Sequence, residues 1–251
     1  IVWNLTSVLG RRFVAGMVVV LGFYRRGFQF RRLFTHPKLI GRGVVGGGSV
    51  YLFYLTVVHL GAGRATFINN TYVIFGALLA VWVLGERFRP ALGVGSLGAL
   101  GGLALLTNAF GAGAHANVYD LVAIISALAA AYVVVTIRQL HATDHSSTIF
   151  AAQCIYGLLI CGVPAAVHHQ TVSALAWTMM ILAGTFAAIG QITMTRAFRD
   201  LPVAEGSLLQ MLVPLGIAAG GVVFFGEHFA PRELVGAALI LGGTAITAVR
   251  R

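Results

Sequence analysis

Long uncharged apolar stretches, separated by short clusters of charge, run the length of the chain. Residues 43–63, 65–85, 90–119, 121–137, 146–195, 206–226 and 234–249 contain no Asp, Glu, Lys or Arg. A helix needs about 20 mostly apolar residues to cross the hydrocarbon core of a bilayer. The stretch 146–195 is long enough for two crossings, with His168-His169-Gln170-Thr171 as the natural turn between them. Together with the first apolar run, the pattern predicts nine spans, at roughly 4–24, 41–59, 63–84, 90–107, 118–138, 146–166, 173–196, 202–225 and 231–249. The segment lengths and the lack of two-residue alternation point to helices rather than barrel strands. The expected fold class is an all-α integral membrane protein.

Composition narrows the solvent to lipid. Of 251 residues, 58% are apolar and 10% charged, with a mean hydropathy of +0.89, whereas about a quarter of an average soluble domain is charged. A soluble chain of this size lacks the polar cover for so much apolar surface, and a disordered one is poor in apolar residues. The net charge of +10 does not make a nucleic-acid binder, because the bases sit between uncharged stretches rather than on one polar face. They set an orientation instead. Arg25, Arg26, Arg31, Arg32, Lys38 and Arg42 fill the loop after the first span, which is placed in the cytoplasm. Alternation then puts Arg87, Arg89, Arg138, Arg196, Arg199, Arg250 and Arg251 on the same side, 13 of the 17 bases in all. Arg11, Arg12, Arg64 and Arg232 fall on or near the outer side, and the C-terminus lies inside. Cys154 and Cys161 share one predicted helix, where they cannot bridge each other. Residues 1–24 do not read as a signal peptide, because their basic cluster follows the apolar run.

The chain also repeats itself. Laying 60–106 on 201–247 at a fixed offset of 141 gives 13 identities in 47 positions without a gap. They include Gly85/Gly226, Glu86/Glu227, Phe88/Phe229, Pro90/Pro231 and Gly95/Gly236. The shared string Gly-Glu-x-Phe-x-Pro makes this more than a match of common residues. The expected organisation is a first repeat over 1–107, a connecting loop over 108–117 and a second repeat over 118–251. The span at 118–138 maps to positions before residue 1, so one further N-terminal helix is expected. Each repeat would then hold five helices, the first repeat lacking its opening one here. An odd number inverts the second repeat, an arrangement that puts a solute site near the midplane and permits alternating access.

The strings VWVLGERFRPALGVGSLGALGGLALL and VVFFGEHFAPRELVGAALILGGTAIT resemble the two EamA domains of the drug/metabolite transporter superfamily. VLGRRFVAGMVVV is similar to the second helix of that family, where an Arg near the start is usual. The resemblance implies a ten-helix exporter of small metabolites or drugs in the plasma membrane, a bacterial inner membrane, with both termini cytoplasmic. The family often carries a proline midway through the fourth helix of each domain. Pro214 supplies one, and Val73 stands at the other position.

Polar residues at mid-depth are the substrate-binding candidates, because an amide in lipid needs partners in the bundle or a wet cavity. Asn69 and Gln210 are mates under the offset, and Asn70, Tyr51, Tyr54, Tyr132, Gln191 and Thr195 are placed around them. Interhelical hydrogen bonding is the alternative role for each. Arg12 either forks onto a substrate carboxylate or snorkels to the outer headgroups. Glu86 and Glu227, ahead of Pro90 and Pro231, either carry a proton or cation or accept from free amides at the next helix start. Their identity on opposite sides of the membrane favours the structural role, so these four residues form a structural motif. Asp120 and Glu205 lie near helix starts, where the dipole favours a carboxylate. His141, Asp144 and His145 have metal-like spacing but fall in a short loop, and no metal, cofactor or catalytic set is assigned. Gly43/Gly47, Gly98/Gly102 and Gly216/Gly220 read as small faces for close helix approach. Gly93-Val-Gly95-Ser-Leu-Gly98 is no dinucleotide fingerprint, since no strand precedes it.

The function expected is a secondary transporter, an exporter of a small organic solute, driven by gradients because no nucleotide motif is present. Its partners would be that solute and the lipid bilayer, with a homodimer allowed and nucleic acid excluded. The alternative is a non-transport polytopic membrane protein such as an intramembrane lipid-modifying enzyme, for which no motif speaks.

Overall fold

The computed structural model describes residues 2–23, 27–87, 89–111, 115–167, 173–226 and 228–249. Among these residues the secondary structure is helical throughout, in twelve segments. They are α1 (Val2–Phe23), α2 (Arg32–Thr35), α3 (Pro37–Leu60), α4 (Ala62–Asn70), α5 (Tyr72–Leu84) and α6 (Pro90–Leu106). After them come α7 (Val118–Leu140), α8 (Ser146–Val167), α9 (Ala174–Ala197), α10 (Val203–Leu209), α11 (Leu212–Phe225) and α12 (Pro231–Val249). Each apolar stretch read from the sequence holds one helix or a consecutive pair. Five segments are long and apolar enough to cross a membrane, namely Pro37–Leu60, Ala62–Leu84, Val118–Leu140, Leu175–Ala197 and Val203–Phe224. Many of their apolar side chains face outward, Trp82 at 84% exposure and Phe224 at 81% among them. In water this surface would be costly, and in lipid it is solvated. The turn expected at His168-His169-Gln170-Thr171 lies outside the described residues, as do Arg25, Arg26, Arg250 and Arg251.

Helix ends follow local chemistry. Gly85 and Gly226 close α5 and α11 in the left-handed region, at φ 66° and 67°, where a residue without Cβ carries no steric cost. Pro90 and Pro231 open α6 and α12, at the position where a missing N–H and a fixed φ do no harm.

The spans around 62–84 and 203–225 are both interrupted, for different reasons. Pro214 has no N–H for the Gln210 carbonyl, and its ring crowds that oxygen. The carbonyl instead takes the Val213 amide at 3.0 Å, and Gln210 and Met211 donate three residues back, to Ser207 and Leu208. No proline stands at Val73, yet the helix breaks at Thr71 all the same. There the Thr71 hydroxyl donates to the Ile68 carbonyl at 2.6 Å, and the Asn70 amide donates to the Thr66 carbonyl at 2.8 Å. These side chains compete with the backbone for its own acceptors.

The chain forms two compact units that interleave along the sequence. The first comprises Ile1–Leu55 and Tyr132–Asp200, the second Thr56–Ala131 and Leu201–Arg251. In the first, α1 packs on α8 and α9. Leu9, Phe13 and Cys161 form its apolar centre, with Tyr51 and Tyr54 packed against them. Cys154 and Cys161 are both free thiols. Gly43 and Gly47 let α3 approach α8, since a Cβ on Gly47 would lie 2.6 Å from the Gly157 Cα.

In the second unit α6 and α12 cross closely. A Cβ on Gly95 would lie 2.7 Å from the Gly243 carbonyl oxygen, and one on Gly102 2.5 Å from that of Gly236. The contact is reciprocal, because Gly236 meets Gly102 and Gly243 meets Gly95 in the same way. This corrects the expected small faces. Gly95, not Gly98, partners Gly102, because a Cβ on Gly98 would meet open space. Among the described residues Gly216 and Gly220 meet no neighbouring helix within 4 Å, so they form no packing face there. Around the crossing, α4 and α5 rest on α6, and α10 and α11 on α12.

Candidate functional site

The sequence candidates divide between the units. Arg12, Tyr51, Tyr54, Tyr132, Gln191 and Thr195 belong to the first, and Asn69, Asn70 and Gln210 to the second.

In the first unit Arg12, midway along α1, donates through Nη1 to the Tyr54 hydroxyl at 3.2 Å. Its guanidinium carbon sits 5.8 Å from the centre of that ring. Tyr51 and Tyr54, one helical turn apart on α3, share the face that packs on Leu9 and Phe13. Arg12 lines a small cavity with Gln153, Cys154 and Gln191. The Gln191 Oε1 is buried and has no hydrogen-bond partner among the described residues, a situation that costs about 1–3 kcal/mol for a polar group. Thr195 is fully buried, and its hydroxyl donates back to the Gln191 carbonyl at 2.8 Å. That hydroxyl is spent on its own helix. Tyr132 is exposed, with its hydroxyl lying over Gly41 and away from the Arg12 cavity.

In the second unit the two amides related by the offset differ. The Asn69 Oδ1 accepts from the Ser126 hydroxyl of α7 at 2.9 Å. The Gln210 Nε2, at the break between α10 and α11, is buried without a partner among the described residues. Asn70 is occupied within α4 by its bond to Thr66. Of the candidates read from the sequence, Gln191 and Gln210 are those with a buried amide atom that has no partner among the described residues.

The carboxylates are engaged. Glu86 accepts from the Val203 amide at 3.0 Å. It caps a helix start, though that of α10 rather than of the following α6, whose first residue Pro90 has no N–H to offer. Glu227, the other acid of the motif, lies outside the described residues. Asp120 receives Arg64 in two parallel bonds of 2.8 and 2.9 Å, and Glu205 pairs with Arg89 at 2.9 Å. Asp144 pairs with Arg32 at 3.1 Å. His141 Nε2 bonds the Thr195 carbonyl at 2.7 Å, and His145 bonds Ser147. The three side chains of the metal-like spacing thus serve separate contacts, and no group of three such ligands occurs among the described residues. Burial lowers the His141 imidazole below its ordinary value, the bond to Thr195 opposing and the nearby Arg199 and Arg138 adding to the shift.

One residue departs from its sequence reading. Arg42, counted with the loop bases, lies inside α3 and is fully buried. Its Nη2 donates to the Gln153 Oε1 at 2.9 Å. The available signal was Gly46, one turn on, where any Cβ would collide with the Arg42 Nη1.

The family model described as "EamA-like transporter family" matches residues 2–108 and again 117–249. The chain belongs to the EamA-like transporter family. This EamA protein is a membrane transporter. It is similar to the pseudopaline exporter CntI of Pseudomonas aeruginosa, in two strains, each 25% identical over 82% of this chain and 72% of the relative. A crystal structure of another protein superposes with a TM-score of 0.81 at 18% identity, covering 98% of this chain and 87% of that one. At that identity the likeness speaks for the fold alone.

Proposed function

We propose that the protein is a secondary transporter that exports a small organic solute across the bacterial inner membrane by alternating access. The observation carrying this reading is the pair of interrupted spans, with breaks at Thr71 and at Gln210–Met211. They fall within two residues of each other once the offset of 141 is applied. Broken helices in corresponding places of two inverted repeats are where secondary transporters build solute sites. The reciprocal crossing of α6 and α12, in which Gly95 meets Gly243 and Gly236 meets Gly102, supports the same internal twofold. In this reading all nine apolar segments cross the membrane, the C-terminus is cytoplasmic, and ion gradients supply the energy. Gln210 and Gln191 offer their open amide groups to the solute, and Arg12 offers its guanidinium. Glu86 acts as a cap and carries no proton.

Flux into proteoliposomes holding the purified chain tests the proposal. Pseudopaline, the solute named for the Pseudomonas relatives, leads a panel with amino acids, purines and cationic drugs. At least one should move, and Gln210→Ala and Gln191→Ala should each slow it about tenfold. If no solute moves, or neither variant alters the flux of one that does, the proposal fails.

A further inference from the structure

Arg42 is fully buried, and only one of its nitrogens has a partner. Nη2 donates to Gln153, while Nε and Nη1 bond nothing among the described residues. A buried charge is tolerated when a counter-charge and hydrogen bonds surround it. Among the described residues of this unit, no carboxylate pairs with Arg42. The acids of this unit are Asp144, which pairs with Arg32, and Asp200, which is exposed at the end of the unit.

The surroundings are built around the guanidinium. Gly46 clears the space that Nη1 occupies. The Gln153 amide donates to the Gly46 carbonyl at 3.4 Å, which turns its Oε1 towards Arg42. Gln153 also lines the small cavity shared with Arg12 and Gln191. Cys154 stands on the same wall. A guanidinium without a carboxylate partner, in surroundings of low dielectric, draws an anion strongly.

We propose that Arg42, held by Gln153 beside the Arg12 cavity, binds the carboxylate of a small solute. A guanidinium with open donors matches a planar carboxylate in both charge and geometry. That the carboxylate belongs to the exported solute rests on the transport reading, whereas the anion site itself does not.

The test is thermal melting of the purified full chain in phosphatidylcholine nanodiscs, followed by tryptophan fluorescence. Sodium succinate and sodium acetate are compared with sodium chloride at equal ionic strength, and a parallel series adds phosphatidylglycerol instead. The carboxylates should raise the melting temperature by a few degrees in a saturable way, and Arg42→Gln should weaken that response about tenfold. Gln153→Glu keeps the test decisive if Arg42→Gln fails to fold. It places a carboxylate against Arg42 from within, so the unliganded variant should melt higher and ignore succinate. A wild type indifferent to both carboxylates, a response found only with phosphatidylglycerol, or a Gln153→Glu protein that still responds would each overturn the site. A carboxylate response without any flux in proteoliposomes would sink the transport reading and leave the anion site standing.

Discussion

The two interrupted spans of the second unit reach similar backbones by different chemistry. At Thr71 the break is made by side chains, the Thr71 hydroxyl and the Asn70 amide taking carbonyls of α4. At Gln210–Met211 it is made by a ring, since Pro214 cannot donate. The amides beside the breaks differ accordingly. Asn69 is tied to Ser126, while the Gln210 Nε2 is buried and open. A sequence repeat therefore conserves a backbone shape more closely than it conserves chemistry. On the proposed transport reading, the asymmetric member, Gln210, is where a solute would gain the most by binding.

The close crossing of α6 and α12 supports both interrupted spans. Gly102→Leu drives a side chain into the Gly236 backbone and should destabilise the protein by about 1–3 kcal/mol. The loss would be read as a lower melting temperature, with hydrogen exchange rising in both interrupted spans alike. The next effect separates them. Asn69→Leu removes the Asn69 Oδ1 that accepts from the Ser126 hydroxyl and should cost about 1 kcal/mol, whereas Gln210→Leu should leave melting unchanged or slightly raised while flux collapses. Equal destabilisation by the two would erase the contrast. Smaller again, Pro214→Ala restores an amide within reach of the Gln210 carbonyl. A new slowly exchanging amide should appear at 214, with stability altered by only a few tenths of a kcal/mol.

The least effect lies outside both spans, at His141. Because burial lowers its pKa in the folded state, the unfolded chain binds more protons near the ordinary imidazole value of about 6.5. Its contribution is complete above that value and is lost as pH falls through it. Melting should thus decline between about pH 7 and pH 5, and His141→Gln should flatten that decline.

Much of the fold was legible in the sequence because lipid imposes a simple rule. Uncharged stretches of span length became helices, and Gly85, Pro90, Gly226 and Pro231 marked their ends where their backbone preferences require. The site was legible less evenly. Asn69 and Gln210 stood out as polar groups in apolar runs, but nothing in one dimension tells which of them has a neighbour such as Ser126. Arg42 was hidden by its surroundings in sequence, since a base a few residues past a basic loop reads as part of that loop. Only the fold shows that it points inward to Gln153. Helix partners were equally invisible, which is why Gly216 and Gly220 read as a packing face and Glu86 as a cap for its own neighbour.

Cysteine accessibility tests whether the Gln210 break lies on a solute path open alternately to each side. Cys154 and Cys161 are replaced by alanine, Gln210→Cys is introduced, and a membrane-impermeant thiol reagent is applied from either face. Position 210 should label from both faces, with transported solute slowing the reaction, while Asn69→Cys labels more slowly. Labelling of position 210 from neither face, or from one face only under every condition, would contradict the account.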